Sequence, residues 1–304
     1  MERGAGVSLK RMSFITRLVA AMRERRLLSG LRRHYLTYKD IGRERVLRDI
    51  LKQPHVMPRR LPSIRLNGDF SSGSSALIKM AFENALTESR LPTEIREIKG
   101  MSGQRYRSFI NLLVGSYPEA RYLEIGSAGG STATAALQGN RAKALCIDNW
   151  SQFGGPRSEF FANIEKVRSP DVDFSLLEGD FRSVCYDEIG MFNIYFFDGP
   201  HEEKDHYDGI VLAQPAVADS HVLIVDDWNW LQVRIGTLHA LIDSKCCIDC
   251  SIEIRTTLNN RHAAVVGEDS DWHNGSFIGL IRKPLTGASC GPMPFSYDKS
   301  TNER

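Results

Sequence analysis

The sequence has no uninterrupted apolar run of the ~18 residues a membrane-spanning helix needs, so no bilayer span is expected. It also lacks a short apolar stretch ending in a small-residue cleavage site near its start, so export is not expected. Internal repeats and low-complexity tracts are absent. Cysteine is scarce, at 6 of 304 residues: Cys146, Cys185, Cys246, Cys247, Cys250 and Cys290. Cys247-x-x-Cys250 has no second pair at zinc-ligand spacing, so a structural zinc site is not expected. Free thiols in apolar context fit a reducing compartment, the cytosol.

What is present is a globular composition with a hidden charge asymmetry. The net charge is +2. Residues 1–65 hold 17 Lys/Arg against 5 Asp/Glu, while the remaining residues hold 22 against 32. Such a basic front segment suits an anionic partner, a nucleic acid or a membrane surface, or it docks on the acidic remainder of the chain. A membrane-peripheral location and self-association are compatible with this pattern. An organellar transit peptide is disfavoured because the basic pattern continues well past residue 40.

Along the chain, Met12, Ile15, Val19 and Met22 recur at helical spacing, which predicts a basic helical extension over about 12–52. Pro54, Pro58, Pro62, Gly68 and Gly73 make 54–75 a linker. A helix is expected over 76–89, then the loop Gly100-Met101-Ser102-Gly103, with Ser102 as N-cap of the next helix. From Ala120 onward strands and helices alternate. Strands are expected at 121–125, 143–147, 173–177, 192–197 and 221–225, and an edge pair at 250–257 and 276–282. Helices are expected at 131–138, 157–168, 181–188, 202–214 and 230–244. Continuous apolar runs such as Ile194–Phe197 and Val222–Val225 suit a parallel sheet covered on both faces. The domain reading is therefore 1–65 extension and linker, 66–119 helical lead-in, 120–284 the α/β domain, and 285–304 a tail.

The stretch 121–150 carries the chemistry. A strand ending at Ile125, a glycine turn Gly126-Ser127-Ala128-Gly129-Gly130, a helix opening at Ser131, a second strand and Asp148 form a unit that holds a nucleoside-bearing cofactor. Glycines let backbone approach the ligand, and the acid accepts hydrogen bonds from ribose hydroxyls. The G-x-G step of a dinucleotide fingerprint is missing, and Glu124 before the turn suits a cationic ligand better than a pyrophosphate.

Open α/β sheets bind ligands beyond the carboxyl ends of their strands. There the sequence places Glu178-Gly179-Asp180-Phe181, Asp198-Gly199-Pro200-His201 and Asp226-Asp227-Trp228. Asp180 can bond an adenine amino group or cap a helix, and Phe181 can stack on the ring. Asp198, Asp226 and Asp227 should converge and repel one another unless protonated or bound to a hard cation such as Mg²⁺. One of them, Asp227 for instance, can instead be a cap. His201 is the group suited to take a proton from a hydroxyl, or else a surface residue opening a charged helix like His206. Trp150, Trp228 and Trp230 shape a pocket or fill the rim of the core.

Gly100–Gly103, Leu123–Gly126, Ile147–Trp150, Phe197–His201 and Val225–Trp230 come in that order. Together they resemble the class I S-adenosylmethionine (SAM) methyltransferases of the "methyltransferase domain 24" type, over roughly residues 98–283. That group is similar to the metal-dependent sugar O-methyltransferases of macrolide and aminocoumarin biosynthesis. The resemblance implies a Rossmann-like, seven-stranded, mostly parallel sheet with an antiparallel edge hairpin. It implies a divalent-cation site of Asp198, Asp226 and Asp227, with His201 as base. It implies cofactor contacts from Glu124, Gly126 and Ser127, with Asp148 on the ribose, and Gly129, Ser131, Asn149 and Trp150 are further candidate cofactor contacts. Asp180 and Phe181 would meet the adenine, and Met101 and Ser102 would close over the methionine end. The function so implied is methylation of a hydroxyl on a small molecule or sugar. An NAD(P)-dependent oxidoreductase and a non-catalytic binding module are the rival classes. A nucleic-acid methyltransferase is disfavoured because no N/D-P-P-Y/F tetrad is present.

Overall fold

In the computed structural model, residues 62–284 are described. The expected helix over 12–52 and the tail over 285–304 lie outside them. All described residues belong to one unit.

Eight strands form a single sheet in the order β1-β7-β8-β6-β5-β2-β3-β4. They are β1 (Ser63–Gly68), β2 (Arg121–Ile125), β3 (Ala142–Asp148), β4 (Val172–Glu178), β5 (Phe192–Phe197), β6 (Val217–Asp226), β7 (Cys247–Arg255) and β8 (Ser276–Arg282). β4, β3, β2, β5 and β6 run parallel, and β8, β7 and β1 add antiparallel neighbours. The helices are α1 (Gly73–Ala85), α2 (Thr93–Arg96), α3 (Gln104–Ser116), α4 (Ser131–Leu137), α5 (Arg157–Glu165), α6 (Glu203–Leu212) and α7 (Leu231–Asp243).

Strand alternation builds two cores. Tyr122, Cys146, Ile194, Phe196, Val222 and Ile224 face one side, where α1, α3, α4 and α5 cover them. Leu123, Ile125, Tyr195, Phe197, Leu223 and Val225 face the other, under α6 and α7. Burial on both sides is why these strands read as unbroken apolar runs, and it is the main source of their stability.

Three elements differ from the sequence reading. The segment taken as a linker contains β1, in which Ile64 and Leu66 alternate with Arg65 and Asn67 and pair with Ile254 and Ile252. The surrounding prolines and glycines hid that alternation, and the sheet gains an eighth strand. The expected helix over 181–188 is a single 3-10 turn at Phe181–Ser183, opened by Asp180, whose side chain accepts from the Arg182 N–H. Ser102 is not the cap of α3: Gly103 takes that place. The first free N–H groups of α3, on Gln104 and Tyr106, donate to the carbonyls of Ser270 and Asp271 in the β7–β8 loop. A Cβ at Gly103 would lie 2.3 Å from Asp271 backbone atoms, so only glycine permits this approach. Cys247 is exposed and Cys250 buried on β7, so this pair does not present a joint ligand set.

Candidate active site

The carboxyl ends of β2, β3, β5 and β6 open into one cavity of about 810 Å³, counting its mouth. Its floor is the glycine turn. Gly126 has φ +87, and a Cβ there would sit 1.8 Å from the carbonyl oxygen of Asp198. Ala128, at φ 43, is also left-handed, and Gly130 at φ +82 leads into α4. The turn is held by Asp148: Ala128 N–H donates to Oδ2 at 2.7 Å, and Trp150 N–H donates to Oδ1 at 2.6 Å. The Trp150 indole in turn donates to the Ala128 carbonyl at 2.9 Å and packs edge-on against Phe160.

The expected cofactor residues fall into two sets. Met101, Gly126, Asp148, Asn149, Trp150, Asp180 and Phe181 line the cavity. Phe181 is edge-on to Phe197, with the Arg182 guanidinium over its ring at 4.5 Å. Glu124, Ser127, Gly129, Ser131 and Ser102 lie behind the lining. Glu124 is fully buried and accepts hydrogen bonds from Tyr122 and Thr132. Burial pushes its carboxyl up to about 7, opposed by those hydrogen bonds. Ser102 and Ser131 are buried with their hydroxyls 2.9 Å apart, and Ser102 Oγ also accepts from Arg107.

Opposite Asp148, the ends of β5 and β6 bring acids and a histidine together. The ligating atoms of Asp198, His201 and Asp227 all lie within 4.8 Å of one another. Asp226 is deeper, 1% exposed, and its Oδ1 has no hydrogen-bond partner. Desolvation, then repulsion from its neighbours, holds both Asp198 and Asp226 well above the ordinary carboxyl range. Asp227 adopts φ 55, and this left-handed turn presents Oδ2 to His201 Nε2 at 3.2 Å. His201 Nδ1 is buried with no hydrogen-bond partner, and its ring sits edge-on to Trp230. Of the other tryptophans, Trp150 lines the cavity, while Trp228 is buried on Phe277 with its indole donating to Glu253. His206 is not a surface residue: it is fully buried against Phe197, and desolvation lowers it to about 3.

The β7–β8 loop supplies site residues that no sequence motif marked. His273 lines the cavity. Its Nδ1 accepts from the Gly267 N–H at 2.9 Å. Asn274 donates to Asp227 Oδ1 at 2.7 Å, fixing the oxygen that His201 does not hold. The sequence Trp272-His273-Asn274-Gly275, packed directly against the start of β8, was the available signal.

Residues 123–228 match the model of a family described as a methyltransferase domain. That span runs from β2 to the loop after β6 and includes the glycine turn, Asp148, Asp198, His201 and the Asp226–Asp227 pair. No curated protein matches the chain. Among solved structures, TrmN from Thermus thermophilus is similar over 59% of this chain and 48% of its own, at 13% identity and a TM-score of 0.40. This chain thus spans about half the length of that protein. Cofactor-bound Rv0187 from MTB is similar over 69% of this chain and 90% of its own, at 16% identity and a TM-score of 0.44. An SAH-bound methyltransferase from Podospora anserina is similar over 72% and 91%, at 15% identity and a TM-score of 0.42. Residues 123–228 are thus similar to a methyltransferase domain, and their motifs resemble those of the class I SAM-dependent type.

Proposed function

We propose that the protein transfers the methyl group of SAM to a hydroxyl of a small molecule or sugar, assisted by a divalent cation such as Mg²⁺. The observation that carries this reading is the grouping of Asp198, His201 and Asp227 on the wall of the cavity that also holds Asp148. The donor set fits a hard cation. Its carboxylates are desolvated and mutually repelling, and the deeper Asp226 keeps a buried oxygen without a partner. Asp198, Asp226 and Asp227 would hold the ion. Bound there, it would lower the pKa of the acceptor hydroxyl and orient it.

The remaining roles belong to the chain itself. Each Asp148 oxygen accepts one backbone N–H and keeps a lone pair for a ribose hydroxyl. Asp180 and Phe181 flank the place for an adenine, and Met101 covers the side where α3 begins. His201 Nε2 lies against Asp227, so the tautomer with the proton on Nε2 leaves the Nδ1 lone pair free. As the acceptor oxygen forms its bond to the methyl carbon, the carbon–sulfur bond breaks and S-adenosylhomocysteine leaves. The hydroxyl proton passes to His201 Nδ1, and Asp227 stabilises the imidazolium.

The test is calorimetric titration of the full chain with SAM and with NAD, joined to SAH release over a panel of hydroxylic acceptors. SAM should bind and NAD should not. His201→Ala should keep SAM affinity and lose about 10²–10⁴-fold in turnover, and Asp226→Ala should lose metal dependence. NAD binding in place of SAM, or unchanged turnover in both variants, would overturn the proposal.

A further inference from the structure

Three guanidinium groups gather at the far corner of the same sheet edge around a single carboxylate, Glu253. Arg65 lies on β1, Arg255 ends β7 and Arg234 lies on α7. The β1–β7 register pairs Arg65 with Glu253 and Arg255 with Ser63, so both arginines leave the same face of the two strands. Arg234 Nη2 and Arg255 Nη2 both donate to a single atom, Asn260 Oδ1, at 2.8 and 3.2 Å. Among the described residues none of the three is ion-paired. The acid beside them, Glu253, has both oxygens engaged by Trp228 and Asn67. Arg255 Nε is buried and has no hydrogen-bond partner. Desolvation, then repulsion from Arg255, pulls Arg234 down to about 9; attraction to Glu253 opposes this and Arg65 adds a smaller repulsion. Converging, partly desolvated guanidinium groups with unused donors are the arrangement that recognises a phosphate or carboxylate. The Asn260 oxygen already stands where one anion oxygen would.

We propose that Arg65, Arg234 and Arg255 form a binding site for an oxyanion, a phosphate or carboxylate group carried by the methyl acceptor. The acceptor part of this inference rests on the methyl-transfer reading above. Its position supports it. Asp226 pairs with Ser276 and Ser276 with Ile254, so the end of β7 lies two strands, about 10 Å, from the end of β6. Arg234 Nη1 also donates to the carbonyls of Trp228 and Asn229, directly after the Asp226–Asp227 pair. An acceptor with its hydroxyl at His201 and an oxyanion one sugar away would reach both places.

The full chain is titrated with inorganic phosphate, glucose 6-phosphate and glucose. The first two should bind and glucose should not. Glucose 6-phosphate should bind more tightly than inorganic phosphate and be displaced by it. Arg255→Gln should weaken both anions about tenfold or more, and exposed Arg141→Gln should leave them unchanged. Arg255→Gln should melt no lower than wild type without anion; if it fails to fold, Arg65→Gln takes its place. Absence of anion binding, or wild-type binding by the variant, would overturn the site. Inorganic phosphate binding as tightly as glucose 6-phosphate would make it a free-ion site and overturn its assignment to the acceptor. A parallel SAM titration separates the two ideas: lost SAM binding with intact phosphate binding defeats methyl transfer and leaves the oxyanion site standing.

Discussion

The two halves of the sheet's carboxyl edge hold their acids on opposite terms. On the β2–β3 side, Asp148 is matched by two backbone N–H donors and locks the glycine turn. On the β5–β6 side, Asp198 and Asp226 are desolvated and repel each other, which raises both carboxyls above their ordinary range. The first half is already complete by itself, as the proposed cofactor cradle would be. The second half holds uncompensated charge, as the proposed site for a cation and an acceptor would. The halves meet at Gly126, whose backbone packs on the Asp198 carbonyl.

The largest effect is expected at that junction. Gly126→Ala combines a left-handed φ with a Cβ 1.8 Å from a backbone oxygen, so chemical denaturation should show a loss of about 3 kcal/mol or more. A variant as stable as wild type would mean that the halves are not so tightly joined.

Glu124 tests where the border between them runs. By chain position it belongs to the cofactor half, but by burial it behaves like the β5–β6 acids. Its folded pKa, about 7 against 4.5 for the free group, is raised, so its contribution to stability is full below pH 4.5 and lost as pH rises to 7. The stability difference between wild type and Glu124→Gln should therefore move in favour of the variant across that window, by about 2–3 kcal/mol. A flat difference profile would place Glu124 with Asp148 instead.

The smallest effects should have opposite signs. Asp226→Asn removes one repelling carboxyl and should raise metal-free stability by about 1–2 kcal/mol. Its gain should grow at higher pH, because a raised folded pKa means stability is lost as the carboxyl ionises. Asp148→Asn should lower stability by about 1–2 kcal/mol, since an amide offers one acceptor oxygen to two N–H donors. Thermal melting of both variants over pH 5–9 reads the contrast. Two changes of the same sign would erase the distinction between the halves.

Much of the β2–β6 region could be read from the residues. Tyr122–Ile125, Ile194–Phe197 and Val222–Val225 are apolar because both faces of the sheet are covered, and each ends on the acid or glycine it needed to display. The errors share a cause. β1 is stabilised by pairing with β7, about 190 residues away, so its local prolines and glycines misled. The segment after Asp180 has helix-compatible residues, but Val184 turns extended after one 3-10 turn, and Tyr186 packs into the core from an irregular segment. Gly103 starts α3 because the β7–β8 loop caps it, a contact between segments more than 160 residues apart. For the same reason, His273 and Asn274 had no place in a motif.

By itself the sequence determined the strand–turn–helix–strand order from Tyr122 to Asp148 and the acids closing each later strand, because these depend on local periodicity and on residues close in the chain. Only the tertiary structure decided how the acids divide the work. Asp226 and Asp227 are chemically identical neighbours, yet one is sunk beside Asp198 and the other turns through a left-handed φ to meet His201 and Asn274. That difference arises from the parallel pairing of β5 with β6 and from the arrival of the β7–β8 loop. Neither leaves a trace in the local spacing of residues.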